Sequence, residues 1–338
     1  MGRRRIAVTA AVAAFVIVAT ACASDGNGGG TGDGRALTGT ITVSGSSTVE
    51  PISALVAELF NETNPDVAIT VDGPGTGDGF ELFCSGEIDI SDASRPIDAE
   101  EVARCEENGV AYTELEVAFD GITVMTNPEN TVECLTTGDL YALFGPEAEG
   151  SETWAEANTL ASQVGGIGGF PDAPLEITAP GEESGTYDAF IELSGIPDIA
   201  VERGIAEEDA EALRKDYQPS PNDNVILQAI EGSPSAIGFV GYAYAEQAGG
   251  SIKEIAIDAG EGCVAPDEAT IADASYPLSR SLYIYVNDEK AAQSEALSAY
   301  VDYYVSDEVL GDVVTEVGYV PLPEDRIAST RSAWEGAA

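Results

Sequence analysis

From residue 40 onward the chain alternates between short strand-like and helix-like segments, and that alternation restricts its fold more than any other feature. Residues 40–44 read as a strand, followed over 51–61 by a helix with Ile52, Leu55, Val56, Leu59 and Phe60 on one face. Strands are predicted over 67–71, 88–90 and 112–119, the last continuing extended through 121–125. Between them lie a Gly-rich turn at 73–79, which opens a short helix through Phe80 and Phe83, and a helix over 99–107. The second half repeats the alternation, with strands over 175–178, 236–240 and 281–286. Its helices are predicted over 137–144, 186–193, 207–215, 222–231 and 291–305. Residues 145–174, rich in Gly, Glu and Ser, read as a surface stretch. No internal repeat is visible. Alternation of this kind predicts an α/β protein with largely parallel sheets.

The segment ahead of residue 40 follows different rules. Arg3, Arg4 and Arg5 precede an apolar run over 6–19, and the small residues Thr20 and Ala21 stand before Cys22. A basic start, a short apolar core and a small-residue cleavage site describe a secretory signal over 1–21, and the run is too short to span a bilayer comfortably. Cysteine in that place resembles a bacterial lipoprotein signal, which implies cleavage before Cys22, lipid on Cys22 and anchorage to the outer face of the cell membrane. The alternative is an ordinary cleaved signal beside an incidental cysteine. Residues 22–39 hold almost nothing to bury and read as a flexible tether. About 300 residues remain, enough for two α/β domains.

Composition then removes whole classes of function. The chain has 60 acidic and 14 basic residues, a balance of −46, and loss of the three leader arginines takes this to −49. Lysine is confined to Lys215, Lys253 and Lys290. A nucleic-acid partner is excluded, because phosphate-backbone binding runs on clustered Lys and Arg. There is no histidine, and no two cysteines stand at the close spacing of a zinc site, so neither a metal nor a cofactor is expected. Beyond Cys22 the cysteines are Cys84, Cys105, Cys134 and Cys263. An even number in an exported protein predicts two disulfides. Three pairings are open, of which Cys84–Cys105 with Cys134–Cys263 keeps one bridge in each inferred domain. Without histidine, neither Ser47 nor Ser184 has the usual base, and the common nucleophile and P-loop motifs are missing. An enzyme is therefore not expected, and no catalytic residue is assigned.

What remains is a set of Ser/Thr/Gly clusters, each between a predicted strand and a predicted helix: Gly45-Ser46-Ser47-Thr48, Gly75-Thr76-Gly77 and Glu183-Ser184-Gly185-Thr186. Free N–H groups at a helix start, hydroxyl donors and glycine for close approach suit an anion. Taken singly, each cluster reads more simply as an N-cap serving its own backbone. A fourth segment, Ser91-Asp92-Ala93-Ser94-Arg95-Pro96-Ile97, follows a strand; alone, its Asp92 and Arg95 read as a cap or a surface pair.

Together with Val49-Glu50-Pro51-Ile52, Ala236-Ile237-Gly238-Phe239-Val240-Gly241-Tyr242 and Tyr276-Pro277-Leu278-Ser279-Arg280, these segments resemble, in order, the phosphate-binding proteins of bacterial phosphate ABC importers. The resemblance runs from about residue 40 to residue 319. It implies a two-lobed periplasmic-binding-protein fold of type II, with two mixed sheets flanked by helices and joined by a two-strand hinge. Lobe 1 would hold 40–120 and 282–338, and lobe 2 would hold 121–281, with crossings near 119–124 and 281–286. It also implies inorganic phosphate as ligand, held by Ser47, Thr48, Thr76, Ser184, Gly185 and Thr186, with Ser46 beside them. A monomer would deliver it to a membrane permease. Asp92 takes the position of a carboxylate that accepts the phosphate proton. Some members carry an arginine where Pro180 stands here; Arg95 is the expected substitute cation, with Arg280 a second candidate more suited to a structural role. Another oxyanion such as molybdate, tungstate or sulfate, and a surface phosphate sensor or adhesin, are the alternatives.

Overall fold

The structure, a computed structural model, describes residues 36–337 apart from Glu183. The expected signal over 1–21, the lipid site Cys22 and nearly all of the tether lie outside the described residues. The strands are β1 (Gly39–Gly45), β2 (Val67–Asp72), β3 (Ile90–Ala93), β4 (Tyr112–Thr126), β5 (Cys134–Thr136), β6 (Glu176–Ala179), β7 (Gln218–Pro219), β8 (Ala236–Gly241), β9 (Lys253–Glu254), β10 (Ala256–Asp258) and β11 (Ser279–Asn287). They form one sheet in the order β2-β1-β3-β11-β4-β8-β6-β7, with β9 also on β4, while β5 and β10 pair separately.

Two sheets were expected, and the structure joins them through one long strand. Over Tyr112–Gly121, β4 pairs with β11; over Ile122–Thr126 it pairs with β8. Parallel pairing holds at β1–β2, β1–β3, β6–β8 and β6–β7. Around β4 and β11 the pairs are antiparallel, because one strand carries the chain across the molecule and the other brings it back. A further segment lies at this crossing. Phe119 and Val320 exchange backbone hydrogen bonds of 2.9 Å, so the C-terminal chain runs beside β4 on the edge away from β11.

Apolar cores form on either side. One gathers Val43, Ile52, Val56 and Phe60 with Ile284, Tyr300, Tyr304 and Leu310. Another gathers Val124, Leu140, Phe144, Trp154, Phe190 and Phe239. Val320 and Leu322 pack into this second core although the helix after them, Glu324–Ala337, returns Trp334 to the first.

The helices that position the site are α1 (Glu50–Thr63), α2 (Thr76–Cys84), α3 (Ala99–Asn108), α4 (Thr137–Phe144), α5 (Trp154–Gln163) and α6 (Gly185–Leu193). Several sequence expectations change. The stretch 145–174 contains α5, capped by Thr153 and burying Trp154, Ala157 and Ala161, so it is only partly surface. The helix expected over 207–215 shortens to Glu207–Ala210, and another precedes it over Ile196–Glu202. The helix expected over 291–305 breaks at Ser294, whose Oγ caps the second piece by accepting from the Leu297 N–H. The disulfides are Cys84–Cys105 and Cys134–Cys263. Among the described residues no helix is long and apolar enough to cross a membrane.

Candidate anion-binding site

The site begins where β1 ends. Gly45 has φ +147°, and a Cβ there would fall 2.1 Å from the Asp92 carbonyl oxygen, so only glycine lets the two strand ends meet. Ser46 N–H then donates to that same carbonyl at 2.9 Å, and the Val49 and Glu50 N–H groups donate to Ser46 O as the chain turns into α1. Pro51 sits in the first turn, where a missing N–H does no harm.

The second cluster locks onto the first. Gly75, with φ +127°, donates its N–H to Gly45 O at 2.8 Å, and a Cβ on Gly79 would lie 2.5 Å from Gly45 Cα. The start of α2 is thereby held against the start of α1. Thr76 and Ser94 share a hydroxyl–hydroxyl hydrogen bond of 3.0 Å, and Ser94 N–H also donates to Thr76 Oγ1.

The third cluster arrives from across the cleft. Ser184 Oγ accepts from Thr186 N–H, as an ordinary N-cap does, whereas Ser46 Oγ accepts from Thr48 N–H in the turn ahead of α1, whose N-cap Val49 has no side-chain hydrogen bond. Each hydroxyl keeps a proton to donate. A Cβ on Gly185 would lie 3.3 Å from Ser47 O, and Ser47 Oγ donates to Asp188 Oδ2 on α6 at 3.0 Å. The starts of α1, α2 and α6 therefore converge, although Ser184 also does the N-capping that a lone cluster would suggest. Glu183 lies outside the described residues.

Asp92 stands beneath this convergence on β3 and is fully buried. Its Oδ1 accepts from Ser53 Oγ at 2.9 Å, which is in turn bonded to the Tyr304 hydroxyl; its Oδ2 is buried without a partner. Burial pushes the carboxyl up to about 7, against the opposing Ser53 hydrogen bond and with a small push from Glu50. Near neutral pH it is thus divided between acid and carboxylate.

The expected cation is differently engaged. Arg95 holds Glu101 in a two-pronged pair at 2.8 and 2.7 Å, above the Phe80 ring, and its side chain is 43% exposed. Arg280 donates from Nη2 to Thr48 Oγ1 at 2.9 Å, from Nε to Asp120 Oδ2 at 3.3 Å and from Nη1 to Glu192. Both guanidinium groups border one cavity of about 430 Å³, shared with Thr76, Ser94 and Glu192, but Arg280 is the one bonded to a cluster hydroxyl. Tyr319, from the third crossing segment, donates to Thr48 O at 2.6 Å.

Sequence reasoning passed over Ser94, Asp188, Glu192 and Tyr319. Ser94 stood inside a segment already singled out. Asp188 and Glu192 are one turn apart on α6 just after its Ser-Gly-Thr start, a spacing that places them on one helix face. Nothing local marks Tyr319. Among the described residues, no three His, Cys, Asp or Glu side chains gather so as to hold a metal ion. Helix-start donors, hydroxyls, a guanidinium and one protonatable carboxyl are the groups from which a receptor for a tetrahedral oxyanion can be built.

That fold agrees with the family comparison, in which the PBP superfamily domain matches residues 30–308. The chain belongs to this superfamily of periplasmic binding proteins. Among its relatives, Protein SphX of Synechococcus elongatus is 40% identical over 286 residues, covering 84% of this chain and 77% of that protein. The Phosphate-binding protein PstS of Staphylococcus saprophyticus is 32% identical over 289 residues, covering 85% and 81%. Among solved structures, a possible phosphate binding protein from Planctomyces limnophilus is 35% identical with a TM-score of 0.79, covering 89% of this chain and 99% of that one.

Proposed function

We propose that this chain is an extracytoplasmic solute-binding protein that captures inorganic phosphate in the cleft and delivers it to the permease of an ABC importer. The observation that carries the reading is the convergence of three Ser/Thr/Gly helix starts over a buried carboxyl with one unpartnered oxygen. The relatives, a phosphate-binding protein in one case and a possible phosphate binding protein in the other, point the same way. The protein works as a binder, without catalysis, and as a monomer. Lipid on Cys22 and the tether over 22–39 hold it at the outer face of the cell membrane. Lobe 1 comprises 40–120 with most of 282–338, and lobe 2 comprises 121–281.

Each residue has a defined part. N–H groups at the starts of α1 and α6 and the hydroxyls of Ser46, Ser47, Thr48, Thr76, Ser94, Ser184 and Thr186 replace the water around the anion. Gly185 allows close backbone approach. Asp92 reads protonation: phosphate near neutral pH brings a proton that the carboxylate can accept, whereas sulfate brings none and sets two acceptors against each other. Arg95, occupied by Glu101, supports the cavity wall. Opening and closing about the β4–β11 crossing admit and enclose the ligand.

Calorimetric titration of ligand-stripped protein from residue 23 onward tests this. Tight one-to-one binding of phosphate, with sulfate bound far more weakly at pH 8, is the expected result. Folded, stripped protein that gives no heat with phosphate overturns the assignment and points to another oxyanion.

A further inference from the structure

Arg280 divides its guanidinium among partners of two kinds. Asp120 and Thr48 are buried and fixed, with side chains at the crossing and at the start of α1. Glu192 is neither: it reaches over from α6, and its side chain is 56% exposed while that of Arg280 is 9% exposed. Charge neutrality does not require it, since Asp120 already balances Arg280. The cavity that Arg280 and Glu192 share is lined also by the hydroxyl-bearing Thr76 and Ser94. A carboxylate there occupies the guanidinium edge from which an oxyanion could at the same time reach two hydroxyls.

We propose that Arg280 is the cation of the phosphate site and that the Glu192 carboxylate is a placeholder on its Nη1 edge, displaced when the anion enters. The inference rests on the phosphate reading above. Carboxylate and phosphate present similar paired acceptors to a guanidinium, so one can take the place of the other without moving the arginine. Asp120 and Thr48 hold the guanidinium in position throughout, which spares the ligand the entropy of ordering it. Glu192 recovers hydration when it swings away, and an ion pair with one exposed partner is weak to begin with. The placeholder also shields Arg280 from other anions that lack enough further contacts to displace it.

A clasp that held the cleft shut over bound ligand would give the opposite result on removal, so the sign of one mutation decides. Inorganic phosphate is titrated calorimetrically at 0.15 M salt into the wild type, Glu192→Gln, Arg280→Gln, the double variant and Asp198→Asn, which removes an exposed charge elsewhere on the cleft rim. Glu192→Gln is expected to bind about two- to fivefold more tightly, the range set by weak ion pairs. Asp198→Asn should stay within about twofold of wild type, because that charge touches no ligand group and salt screens it. Arg280→Gln should weaken binding about tenfold or more, as loss of a charged hydrogen-bond donor does. In that background Glu192→Gln should change nothing further. If loss of the Asp120 pair unfolds Arg280→Gln, combining it with Asp120→Asn removes both charges and serves the same arm. Unchanged or weaker binding by Glu192→Gln, in a series whose wild type binds phosphate, overturns this inference alone. Absence of phosphate binding by folded wild type overturns the phosphate reading and this inference with it.

Discussion

At the scale of single residues, the weight falls on Asp92, whose carboxyl is carried up to about 7 by burial. In the role proposed for Asp92, sulfate is accommodated only while the carboxyl is protonated, whereas phosphate supplies the shared proton itself. Sulfate affinity should therefore fall about tenfold per pH unit above 7 while phosphate affinity stays nearly level. Asp92→Asn, with no proton to lose, should bind sulfate at pH 8 and lose that pH dependence; parallel titrations from pH 6 to 9 would check both. The same shift bears on folding. A carboxyl raised from 3.8 in the unfolded chain to about 7 binds more protons when folded, so its contribution is full below about pH 4 and is lost as pH rises through 7. Relative to ligand-free wild type, Asp92→Asn should gain on the order of 4 kcal/mol between pH 4 and pH 8, read from urea denaturation at each pH. A flat difference would mean that the carboxyl is not desolvated in solution.

At the scale of elements, the disulfides close loops of very different length, with sequence separations of 21 and 129. Constraint of the unfolded chain grows slowly with loop length, so replacing Cys134 and Cys263 by serine should destabilise by about 1.5 kcal/mol more than replacing Cys84 and Cys105. Equilibrium unfolding of the two double variants would show the order. Most elements near the site were legible because their apolar period was clean: α4 matches its expected bounds, and α1 and β1 differ only at their ends. The expected strand over 88–90 is instead β3 at Ile90–Ala93, which carries Ser91 and Asp92 within the sheet rather than after it. α5 was lost to composition, since Gly and Ser flanks concealed one buried Trp and two small alanines that need no large apolar stripe. The Ser294 break was invisible because serine is tolerated inside a helix and reveals itself as a cap only when the backbone leaves the helix there. Convergence of the three clusters was likewise unreadable in any one of them. It depends on Gly45 and Gly79 lying back to back, and on Ser47 meeting Gly185 and Asp188, contacts between segments more than thirty and more than a hundred residues apart in the chain.

At the scale of the whole molecule, a balance of −46 surrounds a receptor for anions. In the proposed site the donors touch the ligand while the acidic field acts from a distance, so salt weakens the second far more than the first. Raising ionic strength from 0.01 to 0.15 M, which shortens the screening length from about 30 to about 8 Å, should speed phosphate association about threefold. Stopped-flow association rates would decide, and a marked slowing would show that the surface attracts the anion. The crossing itself has a mechanical consequence. β11, β4 and the chain through Val320 lie side by side, with β4 in the middle, as they pass between the two cores. A single cord bends and twists with equal ease, but a ribbon three chains wide bends readily only across its flat face. The swing proposed for the cleft then reduces to one angle, and a membrane partner that gauges that angle can tell a loaded molecule from an empty one without touching the ligand.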